Sequence, residues 1–298
     1  MTGNDPGRNP RAAAGAGRGA DRGEADQAAG AGRGADRGGA DQTARWEREV
    51  LPLIRLALAE DIGAGDVTSQ TMIPPAHRSH AVILTKEDLV LSGLEVAAAV
   101  FREVDGDLLF RALARGGDRL RSGDAVAEIR GSTRSILTAE RTALNFLQRL
   151  CGIATLSARF AERIAGSGAV LLDTRKTVPG MRLLSKFAAR DGGAVNHRMR
   201  LDDAILIKDN HLEAAGGVGA IAGRLAALRE THPALPIILE VGSLDELALA
   251  AHLPIDRVLL DNFEPEEVIA ALDLLREERA RGGHPIAVEV SGGVTIET

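Results

Sequence analysis

The chain has no tyrosine, a single tryptophan (Trp46) and an aromatic content of 2%. That excludes a surface stacking successive nucleobases on aromatic rings. There is one cysteine, Cys151, so no disulfide can form within the chain, which fits a reducing cytoplasm. Cys151 falls inside a helical pattern and reads as packing rather than chemistry. No apolar run approaches the ~20 residues of a membrane-spanning helix, and the N-terminus lacks the apolar centre of a secretory signal. Val, Ile, Leu and Phe are missing from residues 14–43, where AGAGRGADRGEADQA is followed by AGAGRGADRGGADQT, a tandem repeat of fifteen residues. Such a segment buries too little to offset chain entropy and is expected to be disordered. Its GAGRGA fits a dinucleotide-binding loop, but no strand precedes it and no helix follows, so the match is fortuitous. Six Arg balance six Asp or Glu in residues 1–43, so the net charge of −6 belongs wholly to residues 44–298.

Against these absences stand 45% hydrophobic and 26% charged residues in a chain of 298, a globular profile with room for one large domain or two ordinary ones. Apolar spacing predicts a helix over 46–61, stopped by a Gly-rich turn. Short β-like runs at 80–85, 89–93, 108–113 and 125–131 surround a helical segment at 93–104, which suggests a small α+β domain. A long helix is expected near 135–165, its apolar stripe running through Leu137, Leu144, Leu147, Cys151, Ala154 and Ala158. Arg141 shares the spacing of that stripe, so it either snorkels at the rim or is held for a partner.

Beyond this helix the pattern becomes β-run, loop, helix. The β-runs are VLLDTRK (170–176), AILIKDN (204–210), IILEVG (237–242), RVLLDN (257–262) and IAVEVSG (286–292), each apolar enough for a parallel strand covered on both faces. Every run ends in polar residues: Asp173 to Lys176, Lys208 to Asn210, Glu240, Asp261 with Asn262, and Ser291 with two glycines. In parallel β/α architecture such ends converge on one rim, where catalytic groups collect. Residues 173–211 carry eight Arg or Lys against five Asp, a cationic pocket in an acidic chain, which implies an anionic ligand. Arg175, Arg198 and Lys208 can clamp carboxylates or phosphates. Glu240 and Asp261 can share Mg²⁺, and Ser291 with Gly292 can offer a backbone nest to phosphate.

The motifs LALAEDIGAGDVTS, TAERTALNFLQRLCGIAT, LLDTRKTVPGMRLLSKFAARDGGAVNHR, AILIKDNH, LEV, LLDN and EVSGG, in order from about residue 47 to 296, resemble nicotinate-nucleotide pyrophosphorylase (carboxylating), that is, quinolinate phosphoribosyltransferase. The resemblance implies an α/β fold: an N-terminal α/β sandwich domain plus an open α/β barrel of parallel strands. The expected division is a disordered repeat tail at 1–44, the sandwich domain at 45–150 and an incomplete barrel catalytic domain at 151–298. The incompleteness is expected because the family continues past SGGVT through another helix and strand, whereas this chain stops at Thr298.

The implied reaction joins quinolinate to phosphoribosyl pyrophosphate (PRPP) with Mg²⁺, giving nicotinate mononucleotide, pyrophosphate and CO₂. By the same resemblance, Arg175, His197, Arg198 and Lys208 hold quinolinate or nearby phosphate, and Lys176 faces the PRPP phosphates. Glu240 and Asp261 bind ribose hydroxyls or Mg²⁺, and Ser291 and Gly292 contact the 5′-phosphate. Lys176, Lys208, Glu240 and Asp261 form the implied catalytic set. Arg141 matches an arginine that enters the partner's site in a homodimer. Three rival readings stay open at this point: a phosphoribosyltransferase for another aromatic acid, a barrel lyase with Lys208 as Schiff base, and a non-catalytic anion-binding remnant.

Overall fold

The computed structural model describes residues 45–297; the repeat tail expected at 1–44 lies outside the described residues. A π-helical turn (Trp46–Val50) runs into α1 (Leu51–Ile62), which carries a proline in its first turn. Asp66 caps α2 (Val67–Met72) by accepting from the Ser69 N–H at 2.9 Å. Then come β1 (Arg78–Leu84), β2 (Leu89–Val90), α3 (Leu94–Val104), β3 (Leu109–Ala112), β4 (Arg119–Leu120) and β5 (Ala125–Ser132). β5 lies between β1 and β3 in an antiparallel sheet, and β2 pairs with β4 in a separate ribbon.

The 31-residue α4 (Thr133–Arg163) crosses the expected 150/151 boundary without interruption. Its buried stripe keeps Leu147, Cys151, Ala154 and Ala158 of the expected one and departs from it only in the first turns, where Ile136, Ala139 and Ala143 take the place of Leu137 and Leu144. Ile136, Ala139, Ala143, Leu147, Leu150, Cys151, Ala154 and Ala158 face inward, while Leu137 is 43% exposed. The small alanines let α3 and α5 (Arg182–Asp191) approach α4 closely, so in its first turns the helix sets Ala139 and Ala143, not Leu137, against the core. Gly192 shows how tight that approach is: a Cβ there would lie 2.2 Å from the Ala154 carbonyl oxygen.

The second half carries β6 (Ile205–Ile207), α6 (Asp209–Ala215), a 3₁₀ turn (Val218–Ala220), α7 (Ala222–Thr231), β7 (Ile237–Val241), α8 (Leu244–Ala250), β8 (Arg257–Asp261), α9 (Pro265–Ala280) and β9 (Ala287–Ser291). β6, β7, β8 and β9 are neighbours in that order in one parallel sheet. Helix starts follow the local chemistry: Ser243 accepts from the Glu246 N–H ahead of α8, and Glu264 with Glu267 forms a capping box ahead of α9.

The expectation of a fifth strand at 170–176 is corrected. Only Leu172 is bridged, to Val195, through the bonds Val195 N to Leu171 O (2.8 Å) and Asp173 N to Val195 O (3.1 Å). The apolar run was real, but its partner segment offers no ladder beyond this one bridge.

Alternation then sorts the parallel sheet into two faces. Ile205, Ile207, Ile237, Leu239, Val241, Val258, Leu260 and Val288 pack against the helices. Ala204, Leu206, Ile238 and Leu259 form a small cluster on the opposite face. Two residues further along each strand, that opposite face presents Lys208, Glu240 and Asp261, with Ser291 at the matching level of β9. Alternation thus gathers four of the expected site residues on one rim.

Candidate active site

Lys208 directly follows β6 and Glu240 lies near the end of β7; their side chains meet as an ion pair, Nζ to Oε2 2.5 Å. Glu240 is buried and Lys208 half-buried. On β8 the Asp261 carboxylate accepts from the Ser291 hydroxyl at 3.0 Å and from the Asn262 amide at 2.9 Å. Asn262 adopts φ 58°, and its N–H donates to the Ser291 carbonyl at 2.9 Å. Gly292 follows at φ 81°, where a Cβ would lie 2.1 Å from Asn262 Oδ1 and 2.8 Å from the Asn262 backbone nitrogen. Only glycine fits there.

A second group comes from the loops before and after α5. Arg175 and Arg198 are half-buried, and neither has a carboxylate within ion-pair distance among the described residues. Arg175 Nε is buried with no hydrogen-bond partner among them. Burial, and then the charge of Arg175, push the Arg198 guanidinium below its usual pKa. Arg198 spends one donor on the Ala204 carbonyl, 3.1 Å away. Lys176 is exposed. Two neighbouring guanidiniums with no carboxylate within ion-pair distance are the arrangement an anion would complete.

His197 is engaged from three sides. Its N–H donates to Asp173 Oδ1 at 2.9 Å and its carbonyl accepts from Lys186 Nζ at 2.8 Å. Its ring Nε2 lies 3.3 Å from Glu289 Oε1, close enough for charge attraction but off the line of a hydrogen bond. Glu289 also meets Arg257 in an ion pair. Burial works against the Glu289 charge, but His197 and then Arg257 outweigh it and hold the carboxyl below the usual range.

Three of these groups, Lys186, Glu289 and Arg257, were not picked out from the sequence. Lys186 interrupts an apolar helical face and looks like solvent contact. Glu289 sits two residues before Ser291, and the period-two rule was the signal that would have found it. Arg141 stands apart from the rest, exposed on the outer face of α4 with no hydrogen bond or ion pair among the described residues.

The donor set bears on the expected Mg²⁺. No group of three or more His, Cys, Asp or Glu among the described residues could hold a metal ion. Glu240 is already paired with Lys208, and Asp261 already accepts from two side chains. These residues fit a cation that brings substrate oxygens with it, with one or two protein carboxylates at most, the habit of Mg²⁺.

The chain is similar to known proteins in sequence and in structure. The family model described as quinolinate phosphoribosyl transferase, N-terminal domain, matches residues 66–151, and the C-terminal domain model of the same family matches 153–298. The chain is similar to a nicotinate-nucleotide pyrophosphorylase [carboxylating] of Mycobacterium leprae, 40% identical over 248 residues, covering 82% of this chain and 84% of that protein. A probable enzyme of the same name from Synechocystis is 39% identical over 246 residues, covering 82% and 81%. Among solved structures, NadC from Streptococcus pyogenes superposes with a TM-score of 0.75 at 37% identity over 83% of this chain and 84% of that one. The nicotinate-nucleotide pyrophosphorylase of Francisella tularensis gives a TM-score of 0.75 at 38% identity, with the same coverage of 83% and 84%.

Proposed function

The chain belongs to the quinolinate phosphoribosyltransferase family, and we propose from its site that it transfers phosphoribosyl from PRPP to quinolinate with decarboxylation. The products are nicotinate mononucleotide, pyrophosphate and CO₂, a step of de novo NAD biosynthesis. The observation that carries this reading is the pair Arg175 and Arg198, cationic, partly buried and without a carboxylate within ion-pair distance among the described residues.

Arg175, Arg198 and His197 hold the two quinolinate carboxylates, with Lys208 alongside. Lys176, exposed next to Arg175, faces the PRPP phosphates. Cleavage at the anomeric carbon builds positive charge on the ribose, which Glu240 and Asp261 stabilise or hold through its hydroxyls. Ser291 and the backbone at Gly292 receive the 5′-phosphate. Glu240 or Asp261 would hold Mg²⁺ from the protein side, and the ion, when bound, would neutralise charge on the leaving pyrophosphate. The enzyme works as a cytoplasmic homodimer in which Arg141, exposed and unengaged, enters the partner's site.

A Schiff base on Lys208 fits less well, because its ammonium is engaged with Glu240 at 2.5 Å rather than free as an amine. The deciding experiment is PRPP-dependent release of CO₂ from carboxyl-labelled quinolinate. Borohydride trapping on Lys208 with a carbonyl substrate, and no PRPP-dependent release, would replace this reading with the lyase.

A further inference from the structure

Lys186 is 1% exposed, one of the largest side chains so completely buried in the described chain, and it carries a charge. Burial pushes its ammonium below the usual lysine value, and Asp173 only partly offsets that. Nothing in the proposed reaction uses it, and at that depth it cannot touch a substrate. A lysine in such a place needs a full set of partners to persist. It has them: an ion pair with Asp173, whose side chain is 8% exposed, and a bond to the His197 carbonyl at 2.8 Å. Asn196 completes the network, its amide reaching Asp173 Oδ2 at 2.6 Å and the Lys186 carbonyl at 3.0 Å.

The two segments joined here carry the site's unpaired cations. Asp173 leads directly into Arg175 and Lys176, and His197 leads directly into Arg198. Between these segments the backbone supplies one bridge, Leu172 to Val195, where a strand pair would supply a ladder. Side chains of α5 stand in for the missing bonds. One turn before Lys186, on the same helix face, Arg182 donates to the Arg175 carbonyl at 3.1 Å and to the Met199 carbonyl at 3.2 Å. Both clamps therefore span from the Arg175 segment to the Arg198 segment, one deep and one nearer the surface.

We propose that Lys186 is a positioning residue for the anion site, fixing the separation of the Arg175 and Arg198 segments and hence the fit to an aromatic dicarboxylate. This rests on the reading of those arginines as the dicarboxylate clamp.

The test uses the full chain and two variants, Lys186→Met and the double variant Lys186→Met/Asp173→Asn. The single variant leaves the Asp173 charge buried without its cation and is expected to lose stability. The double variant removes both charges, so its melting temperature is expected to return toward the parent's. A purely structural pair would then give back normal kinetics. A positioning pair would not: the quinolinate KM stays raised by roughly tenfold to a hundredfold, while the PRPP KM rises less, because of the proposed PRPP contacts only Lys176 lies on a displaced segment and the Ser291 and Gly292 end is untouched. Amide hydrogen exchange supplies an arm that needs no ligand. In the double variant, the amides of Asp173, Val195 and His197 exchange faster, while those of α4 keep their protection. A stable double variant with parental quinolinate KM and parental exchange at those three amides overturns the proposal. A parent chain without phosphoribosyl transfer sinks the proposed function instead, and the exchange arm still decides the role of Lys186.

Discussion

Arg175→Met separates binding from stability within one titration. Methionine keeps the apolar stem of arginine and removes its charge. In the unliganded protein Arg175 adds to the load on Arg198, whose guanidinium is already lowered by burial. Relieving a screened like-charge contact is worth on the order of 1 kcal/mol, so the variant is expected to be slightly more stable than the parent without ligand. With ligand the sign reverses. Losing charge-assisted bonds to a carboxylate costs about 1.5–3 kcal/mol, or roughly tenfold to a hundredfold in affinity. At a quinolinate concentration of about 100 times the parental Kd, linkage stabilises the parent by about 2.7 kcal/mol and the variant by only about 0.4–1.4 kcal/mol. For an ordered chain of this size each kcal/mol moves Tm by about 2–4 °C, so the two ligand-induced shifts are separable by scanning calorimetry. The reasoning is refuted if Arg175→Met is less stable without ligand and yet gains as much from quinolinate as the parent does.

Gly292→Ala places a Cβ 2.8 Å from the Asn262 backbone nitrogen, an atom that cannot move aside as the Asn262 amide can. We expect a loss of roughly 1–3 kcal/mol in urea unfolding with a raised PRPP KM, and an unchanged KM would remove the glycine from the phosphate site. Asp191 closes α5 at its C-terminal end, where a negative charge is disfavoured, and burial raises its carboxyl above the usual range despite the Ser92 hydroxyl bond. The folded state therefore binds this proton more tightly than the unfolded state, so the group's contribution is present at acid pH and is lost as pH rises through its raised folded value. Asp191→Asn, which keeps an acceptor for Ser92, is expected to stabilise by about 1 kcal/mol at pH 7 and to lose that advantage below about pH 4; destabilisation at pH 7 would contradict it. Arg141→Ala mixed with Arg175→Ala is expected to restore part of the activity that each lacks, because one heterodimer site keeps both arginines; no rescue from demonstrated heterodimers would end the shared-site reading.

The strands from β6 to β9 were legible because each is a continuous apolar run closed by polar residues, and that pattern survives translation into a parallel sheet almost residue for residue. The cap at Ser243 follows from an equally local pattern, a serine three residues ahead of Glu246. What failed to show was tertiary. Nothing in VLLDTRK tells that its neighbour will offer a single bridge. Nor does the α4 pattern tell that alanines will face inward while Leu137 turns out. The helix α5 was hidden because Arg182 and Lys186 read as surface charge, when both in fact reach inward to carbonyls and a carboxylate.

The distribution of charge around the site carries a last consequence. Its carboxylates are all engaged: Asp173 with Lys186, Glu240 with Lys208, Glu289 with Arg257, and Asp261 with Ser291 and Asn262. Arg175, Lys176 and Arg198 have no carboxylate within ion-pair distance among the described residues, and they stand together on two adjoining loops. Substrate charge is therefore met by groups left without an ion-pair partner inside the protein, one of which, Arg198, burial already disfavours in its charged form, while paired groups lie beneath them. If that division is right, substitutions should fall into two kinds. Neutralising Arg175, Lys176 or Arg198 weakens binding and spares or improves stability. Neutralising Lys186 or Arg257 lowers stability first, because each leaves a carboxylate buried without its cation. A neutral substitution at Arg198 that unfolds the chain as readily as one at Lys186 would break the division, since Arg198 would then be holding the fold together rather than waiting for an anion.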